Sequence, residues 1–219
     1  MAIEQAVQCE WIDLLQSSLS SGALIPASAV VAICLFILRE ILEGRRKCRV
    51  RKNEIRALKR IFARECQLAW YRAGQIKKLS EIFAPFEKAP EDECPFELKV
   101  FKTTAGKIRY LISKNGAERL GGMLPEQSTT TFEKYLYDTS KIDSSFYEKV
   151  NAAYTAVIEI KHLHESLIDH QDSAEIIGIQ NVMLGFSSYA LEEIAWIEKE
   201  IKALYKTCTG KELTSGLLR

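Results

Sequence analysis

The stretch LSSGALIPASAVVAICLFILREILEGRRKCRVRK, residues 19–52, changes from an uncharged apolar run to a dense basic block within the length of one helix. No charged residue lies between Asp13 and Arg39. Leu19–Leu38 supplies the roughly 20 residues that a helix needs to cross a ~30 Å hydrocarbon layer. The stretch therefore predicts a transmembrane helix and its collar over residues 19–44.

The charges around this run predict its orientation. Residues 1–38 contain three acidic and no basic residues, whereas residues 39–64 contain eleven Arg or Lys against three Glu. Because cytoplasmic segments beside a membrane span are enriched in Lys and Arg, we expect the N-terminus outside and the C-terminal part in the cytoplasm. A bacterial inner membrane is the expected location. The predicted contacts with anionic headgroups are Arg45, Arg46, Lys47, Arg49, Arg51 and Lys52.

A soluble alternative makes the apolar run a core helix and places the basic helix Arg45–Arg64 on nucleic acid, where its cations would neutralise phosphates. This basic segment has no interleaved aromatic residues for base stacking, and no DNA-binding motif surrounds it. Any such binding would therefore be nonspecific. Lipid headgroups are the simpler expected partner.

Residues 1–18 form a short amphipathic segment ahead of the predicted span. Ile3, Val7, Trp11 and Leu14 recur at the spacing of one helical stripe. Two placements fit this stripe. In the first, the segment lies along the outer membrane surface with Trp11 at the interface, which indole rings favour. In the second, it is a plain helical extension of the span.

Residues 45–209 read as one mainly α-helical cytoplasmic domain. Between Asn53 and Phe83, apolar residues alternate at spacings of three and four, which predicts a long amphipathic helix. Its predicted core-facing residues are Ile55, Leu58, Phe62, Cys66, Ala69, Ala73, Ile76 and Phe83. Three prolines between Ala84 and Phe96 then end the helix.

The middle of the domain contains shorter elements. Residues 97–113 alternate apolar and polar residues on both sides of a Thr-Ala-Gly turn, which predicts a β-hairpin with one packed face. Asn115–Pro125 is predicted to be a short helical turn closed by Gly121-Gly122 and Pro125. Thr130-Thr-Phe-Glu has the form of a capping box for a short helix ending at Tyr137.

Two further helices complete the predicted bundle. The first has its apolar stripe at Phe146, Val150, Ala153, Val157, Ile160, His164 and Leu167. The second, predicted to be longer, starts at the capping box Asp172–Glu175, and its stripe is Ile176, Gln180, Met183, Ser187, Ala190, Ile194, Ile197, Ile201 and Leu204. The expected fold is a single transmembrane helix followed by an antiparallel helical bundle with an inserted β-hairpin. Residues 210–219 lose the pattern, which predicts a frayed tail.

The chain contains no recognisable catalytic, cofactor or metal-binding motif. Its six cysteines are scattered without a Cys-x-x-Cys pair, and its two Gly-Lys pairs lack the rest of a phosphate-binding loop. All three histidines lie within residues 162–172. His162, Glu165 and Asp169 share one helical face, which leaves a histidine–carboxylate enzyme site as an alternative. The other interpretation has His164 hydrogen-bonded at the edge of the core.

The sequence therefore predicts a membrane-anchored interaction protein rather than an enzyme. Its expected partners are the anionic bilayer, another protein and a second copy of itself, and no cofactor is expected. A small anchored chain of this kind would suit recruitment, signalling or membrane disruption, as in an effector of a bacterial stress or phage-defence system. That assignment rests on architecture alone.

Overall fold

The computed structural model describes residues 26–88, 94–177, 183 and 185–214. The protein is mainly helical and has a small three-stranded antiparallel sheet. The helices are α1 (Ala27–Phe83), α2 (Thr130–Ile142), α3 (Ser144–Ile177) and α4 (Phe186–Thr209), and the strands are β1 (Phe96–Lys102), β2 (Ile108–Lys114) and β3 (Ala117–Met123). The chain divides into two compact units, Met1–Asn53 and Glu54–Arg219.

The part of α1 that belongs to the second unit buries the stripe predicted from the sequence. Its buried side chains are Leu58, Phe62, Cys66, Ala69, Ala73, Ile76, Leu79 and Phe83. Ile55 is half-buried, and Leu79 joins the stripe in addition to the predicted residues. The predicted end at Phe83 is confirmed, because a 3-10 turn with Pro85 inside it follows at Ala84–Phe86.

Phe62 connects α1 to the two helices that follow in the chain. Its ring centroid lies 5.2 Å from that of Phe132 on α2 and 6.1 Å from that of Phe146 on α3. Phe132 also stacks on Tyr154 of α3, with 6.0 Å between the centroids. Offset and edge-on ring pairs of this kind add to the burial energy of aromatic side chains. Phe62, Phe132 and Phe146 belong to the hydrophobic core of the described residues, and Tyr154 packs against it.

Helix α4 runs antiparallel to both α1 and α3, as the predicted bundle requires. Lys149 Nζ donates to Thr207 Oγ1 at 3.1 Å, and Tyr189 donates its hydroxyl to Glu159 at 3.1 Å, so the partners run in opposite directions. On the α1 side, Lys77 Nζ lies 2.9 Å from the Glu198 carboxylate, and Gln67 Nε2 donates to the Tyr205 hydroxyl at 3.4 Å, which gives the same antiparallel direction. The α3–α4 helical hairpin is therefore confirmed.

The boundary between α3 and α4 differs from the prediction. The segment Asp172–Glu175 is not the start of a helix, because α3 continues through it to Ile177. Helix α4 begins only at Phe186 and has 24 residues against 34 in α3, so the predicted longer second helix is the shorter one. Of the predicted stripe, the residues from Met183 to Leu204 are buried. The side chains of Ile176 and Gln180 lie outside the described residues.

Glu87 caps the first turn of α4 from a distant part of the chain. Its carboxylate accepts the backbone N–H of Ser188 at 2.7 Å and the Ser188 hydroxyl. The first N–H groups of a helix have no partner within the helix and carry partial positive charge, so a carboxylate there is stabilising. This contact joins the end of α1 to the start of α4.

The predicted hairpin is confirmed, and a third strand extends it. Residues 98, 110 and 112 bury their side chains on one face, and Leu98 pairs with Ile112 across β1 and β2. The segment Asn115–Pro125 is not helical, since β3 pairs antiparallel with β2 over most of it. Asn115 and Gly116 form the connection with φ of 52° and 77°, the backbone that a two-residue hairpin turn requires.

Two further boundaries also differ from the sequence expectations. Helix α2 starts as predicted at Thr130 but extends to Ile142. Its N-cap residue Thr129 makes no side-chain cap hydrogen bond, and the N–H of Thr130 donates to Ser128 Oγ at 3.4 Å, so the predicted capping box is wrong. Thr129 instead donates its hydroxyl to Glu133 at 2.5 Å. In the tail, Leu213 is buried against the core rather than frayed. Residues 215–219 lie outside the described residues.

Candidate membrane-contact surface

The first part of α1 exposes apolar side chains on every side of the helix. Adjacent helical residues point about 100° apart, so four consecutive residues cover the whole circumference. Leu35 and Phe36 are 60% and 63% exposed, and Ile37 and Leu38 are about half exposed. The other exposed apolar residues of this segment are Val30, Val31, Ile33, Ile41 and Leu42.

This segment differs from an ordinary surface helix of a soluble protein. Such a helix buries one apolar stripe and turns a polar face to water. Here residues 30–38 contain no polar face, since every one of them is apolar or cysteine. Removing one Leu, Ile or Phe side chain from water contributes about 1.5–3 kcal/mol. The segment therefore favours an apolar environment around its whole circumference.

The described part of the predicted span starts at Pro26, whose carbonyl accepts the N–H of Ala29 at 2.8 Å at the first turn of α1. Residues 19–25 of the span and the predicted amphipathic segment 1–18 lie outside the described residues. No helix in the described ranges is both long and apolar enough to cross a membrane.

The six basic residues predicted to meet headgroups all lie on exposed helical positions of the same unit. They are Arg45, Arg46, Lys47, Arg49, Arg51 and Lys52. At about 100° per residue they are distributed around the helix rather than along one side. Lys47 also pairs with Glu43 at 2.8 Å, one helical turn earlier. Cations on all sides of the helix can contact lipid headgroups, which surround a membrane-inserted helix. A nucleic-acid duplex would contact only one side of it.

The histidine-rich segment of α3 does not assemble a metal site in the described residues. His162, Glu165 and Asp169 lie exposed on the outer face of the helix, and the Glu165 carboxylate lies 3.7 Å from Lys161. Within the ranges that the structure describes, no group of three or more His, Cys, Asp or Glu side chains has the arrangement of a metal site. The side chain of His170 lies outside those ranges.

His164 has the core-edge position that the alternative interpretation predicted. It is 3% exposed, and its Nε2 lies 3.2 Å from the backbone carbonyl of Leu124. Since a carbonyl oxygen only accepts, Nε2 carries the proton and donates it. The contact fixes the segment after β3 to α3 and is structural.

The five cysteines of the described residues are free thiols in different environments. Cys34 and Cys48 are exposed on the first part of α1, whereas Cys66 is buried in the core. Desolvation raises the pKa of Cys66 well above its usual value and raises the pKa of Cys208 to about 11. The thiolate is the reactive form of cysteine, so Cys66 and Cys208 are poorly reactive at neutral pH.

Comparison of the chain with protein-family models, with curated proteins and with solved structures found no match.

Proposed function

We propose that this protein is a single-pass membrane-anchored interaction protein with its helical domain in the cytoplasm. The observation that carries the proposal is the helical segment Val30–Leu42, whose apolar side chains are exposed on all sides and are followed directly by basic residues. The span Leu19–Leu38 enters the hydrocarbon layer. The cations from Arg45 to Lys52 contact anionic headgroups on the cytoplasmic side.

Two free-energy contributions favour the membrane-anchored state. Apolar side chains that would cost free energy in water are removed from it by the hydrocarbon. Each Lys or Arg near an anionic leaflet then contributes about 1 kcal/mol. Together these effects tether the domain Glu54–Arg219 to the membrane. The tether raises the local concentration of the domain, which favours its binding to a membrane-associated protein partner or to a second copy.

Accessibility of the native cysteines tests both anchorage and orientation. In intact cells a membrane-impermeant maleimide should label Cys9 on the outside, and Cys48 should react only after the cells are permeabilised. The poorly reactive Cys66 and Cys208 add little signal, and a Cys94→Ser background removes the partly exposed thiol of the same domain. The Cys9→Ser and Cys48→Ser variants identify which thiol gives each signal. Labelling of Cys48 before permeabilisation would contradict the proposed orientation.

We further propose that the protein acts as a membrane effector or signalling component in a bacterial stress or phage-defence system. A single span without Asp, Glu, His, Lys or Arg offers no ion pathway, so permeabilisation requires several copies to assemble. Expression of the full chain should then lower the membrane potential and release an entrapped dye, increasingly as its level rises. An unchanged membrane potential at high expression would contradict permeabilisation and leave recruitment of a partner as the proposed role.

A further inference from the structure

A basic groove lies within the unit Glu54–Arg219, between α1 and the last turns of α4. Its volume is about 660 Å³. The side chains that line it are Lys59, Arg60, Ala63, Arg64, Gln67, Tyr205, Cys208 and Thr209. The small side chain of Ala63 leaves room between the two helices. The lining residues all belong to this unit, whereas the predicted membrane-contact residues belong to Met1–Asn53.

The groove has three cations and no acidic side chain in its lining. Arg60 and Arg64 lie one helical turn apart, so both guanidinium groups emerge on one side of α1. In the described part of the chain, neither arginine has a carboxylate within ion-pair distance. Lys59 is half-buried, with its ammonium 5.7 Å from the ring centroid of Phe146. Three cationic residues therefore line the groove with no acidic residue among them. Asp143, which is not part of the lining, interacts electrostatically with Lys59.

The remaining lining groups are compatible with an anion. Tyr205 accepts a 3.4 Å hydrogen bond from Gln67 Nε2, which leaves the phenol proton for a ligand. Burial raises the pKa of the Cys208 thiol to about 11, so this side chain brings no negative charge at neutral pH. The C-terminus of α4 contributes about half a negative charge, which three full cations outweigh.

We propose that this groove binds a phosphate-bearing anion, held by the guanidinium groups of Arg60 and Arg64 and by the Lys59 ammonium, with the Tyr205 hydroxyl as a further donor. Guanidinium groups bind phosphate oxygens in pairs, and a terminal phosphate offers more oxygens and more charge than a diester. The ligand class is therefore a phosphomonoester or pyrophosphate. Its source is either a soluble phosphorylated molecule or the headgroup of a lipid such as phosphatidic acid.

Titration of the full chain with inorganic pyrophosphate tests the groove directly. The chain is purified in a neutral detergent, and binding is measured by calorimetry at low salt. Arg60→Gln combined with Arg64→Gln should weaken binding by about 30-fold, because two charge-assisted contacts are lost. The matched control, Arg46→Gln with Arg49→Gln, removes the same charge from exposed positions of the other unit and should change affinity by less than about twofold.

Conservative variants separate groove geometry from charge. Arg60→Lys with Arg64→Lys keeps the charge but loses the paired contacts, so we expect an intermediate affinity. Tyr205→Phe should weaken binding by about three- to tenfold without a change in net charge. Absence of pyrophosphate binding, or equal weakening by the groove and control double variants, would overturn the proposal.

Reconstitution distinguishes the two sources of the phosphate. The full chain is placed in nanodiscs of neutral lipid, with either phosphatidic acid or phosphatidylglycerol added. If the headgroup is the ligand, phosphatidic acid should suppress pyrophosphate binding and phosphatidylglycerol should not. If pyrophosphate binds equally in both, the ligand is soluble. The detergent titration needs no bilayer, so its failure is distinguishable from failure of the proposed anchor.

Discussion

Asp143 joins the last turn of α2 to the first turn of α3. Its backbone N–H donates to the Thr139 carbonyl at 3.2 Å, and its carboxylate accepts the N–H of Phe146 at 2.8 Å and the hydroxyl of Ser145 at 2.6 Å. The Ser145 hydrogen bond, followed by the one from Phe146, lowers the pKa of the carboxyl group. The ionised residue therefore stabilises the start of α3.

Asp143 makes the stability of the fold depend on pH. A carboxyl group whose folded pKa is depressed contributes stability above its unfolded pKa, and that contribution is lost as pH falls through the folded value. Asp143→Asn should therefore lower the urea midpoint at neutral pH and make less difference at a pH below the ordinary value of 3.8. The matched control is Asp138→Asn on the exposed face of α2. Equal losses for Asp143→Asn at both pH values would contradict this role.

For His164, the sequence predicted the burial of the side chain but not its hydrogen-bond partner. The three-four spacing placed it on the inner stripe of α3, which is confirmed by its burial. Its acceptor, the Leu124 carbonyl, lies 40 residues earlier in the chain and follows a strand that the sequence had suggested to be a helical turn. Periodicity predicts which side of an element is buried, but it does not predict which distant backbone group meets it.

At the scale of elements, long stripes were predictable and boundaries were less so. The α1 stripe and its end before Pro85 follow from strong, repeated signals. For β3, the pair Asn115-Gly116 was an available hairpin signal, and Gly121-Gly122 was misread as the end of a helix. For α3, the Asp172–Glu175 motif lies inside the helix, so a capping-box pattern alone did not identify a helix start.

Gly122 lies in β3 beside the buried ring of Tyr110, which leaves no room for a side chain at this position. A Cβ at Gly122 would lie 2.6 Å from that ring, so either the ring or the strand must shift. We expect Gly122→Ala to lower the free energy of unfolding by about 1–3 kcal/mol, measured by urea denaturation. Gly74→Ala is the matched control, because its Cβ would meet nothing within 4 Å on α1.

The two glycine variants should differ in sign. Ala in a helix interior is favoured over Gly by about 0.5–1 kcal/mol, so Gly74→Ala should stabilise the protein. If Gly122→Ala leaves the midpoint unchanged, the close packing of β3 on Tyr110 is wrong. The comparison separates a loss of packing from the general effect of adding a methyl group.

At the scale of the whole molecule, the sequence predicted the helical domain better than it predicted the groove. Local spacing along one chain segment is enough to identify a helix and its buried face. The groove joins Lys59 to Cys208 across well over a hundred residues, and no local motif indicates that juxtaposition. By contrast, the proposed anchor is local, because an apolar run and its adjacent cations are continuous in sequence.

Alkaline-carbonate fractionation of the full chain tests anchorage most directly. The wild-type chain should remain in the membrane pellet. Val30→Lys, Val31→Lys and Ile33→Lys together should release it, because each Lys near the centre of a span costs about 3 kcal/mol. The control replaces three exposed apolar residues of the sheet, Phe101, Leu120 and Met123, by Lys and should stay in the pellet. Release of the wild-type chain, or equal release of both triple variants, would contradict the anchor.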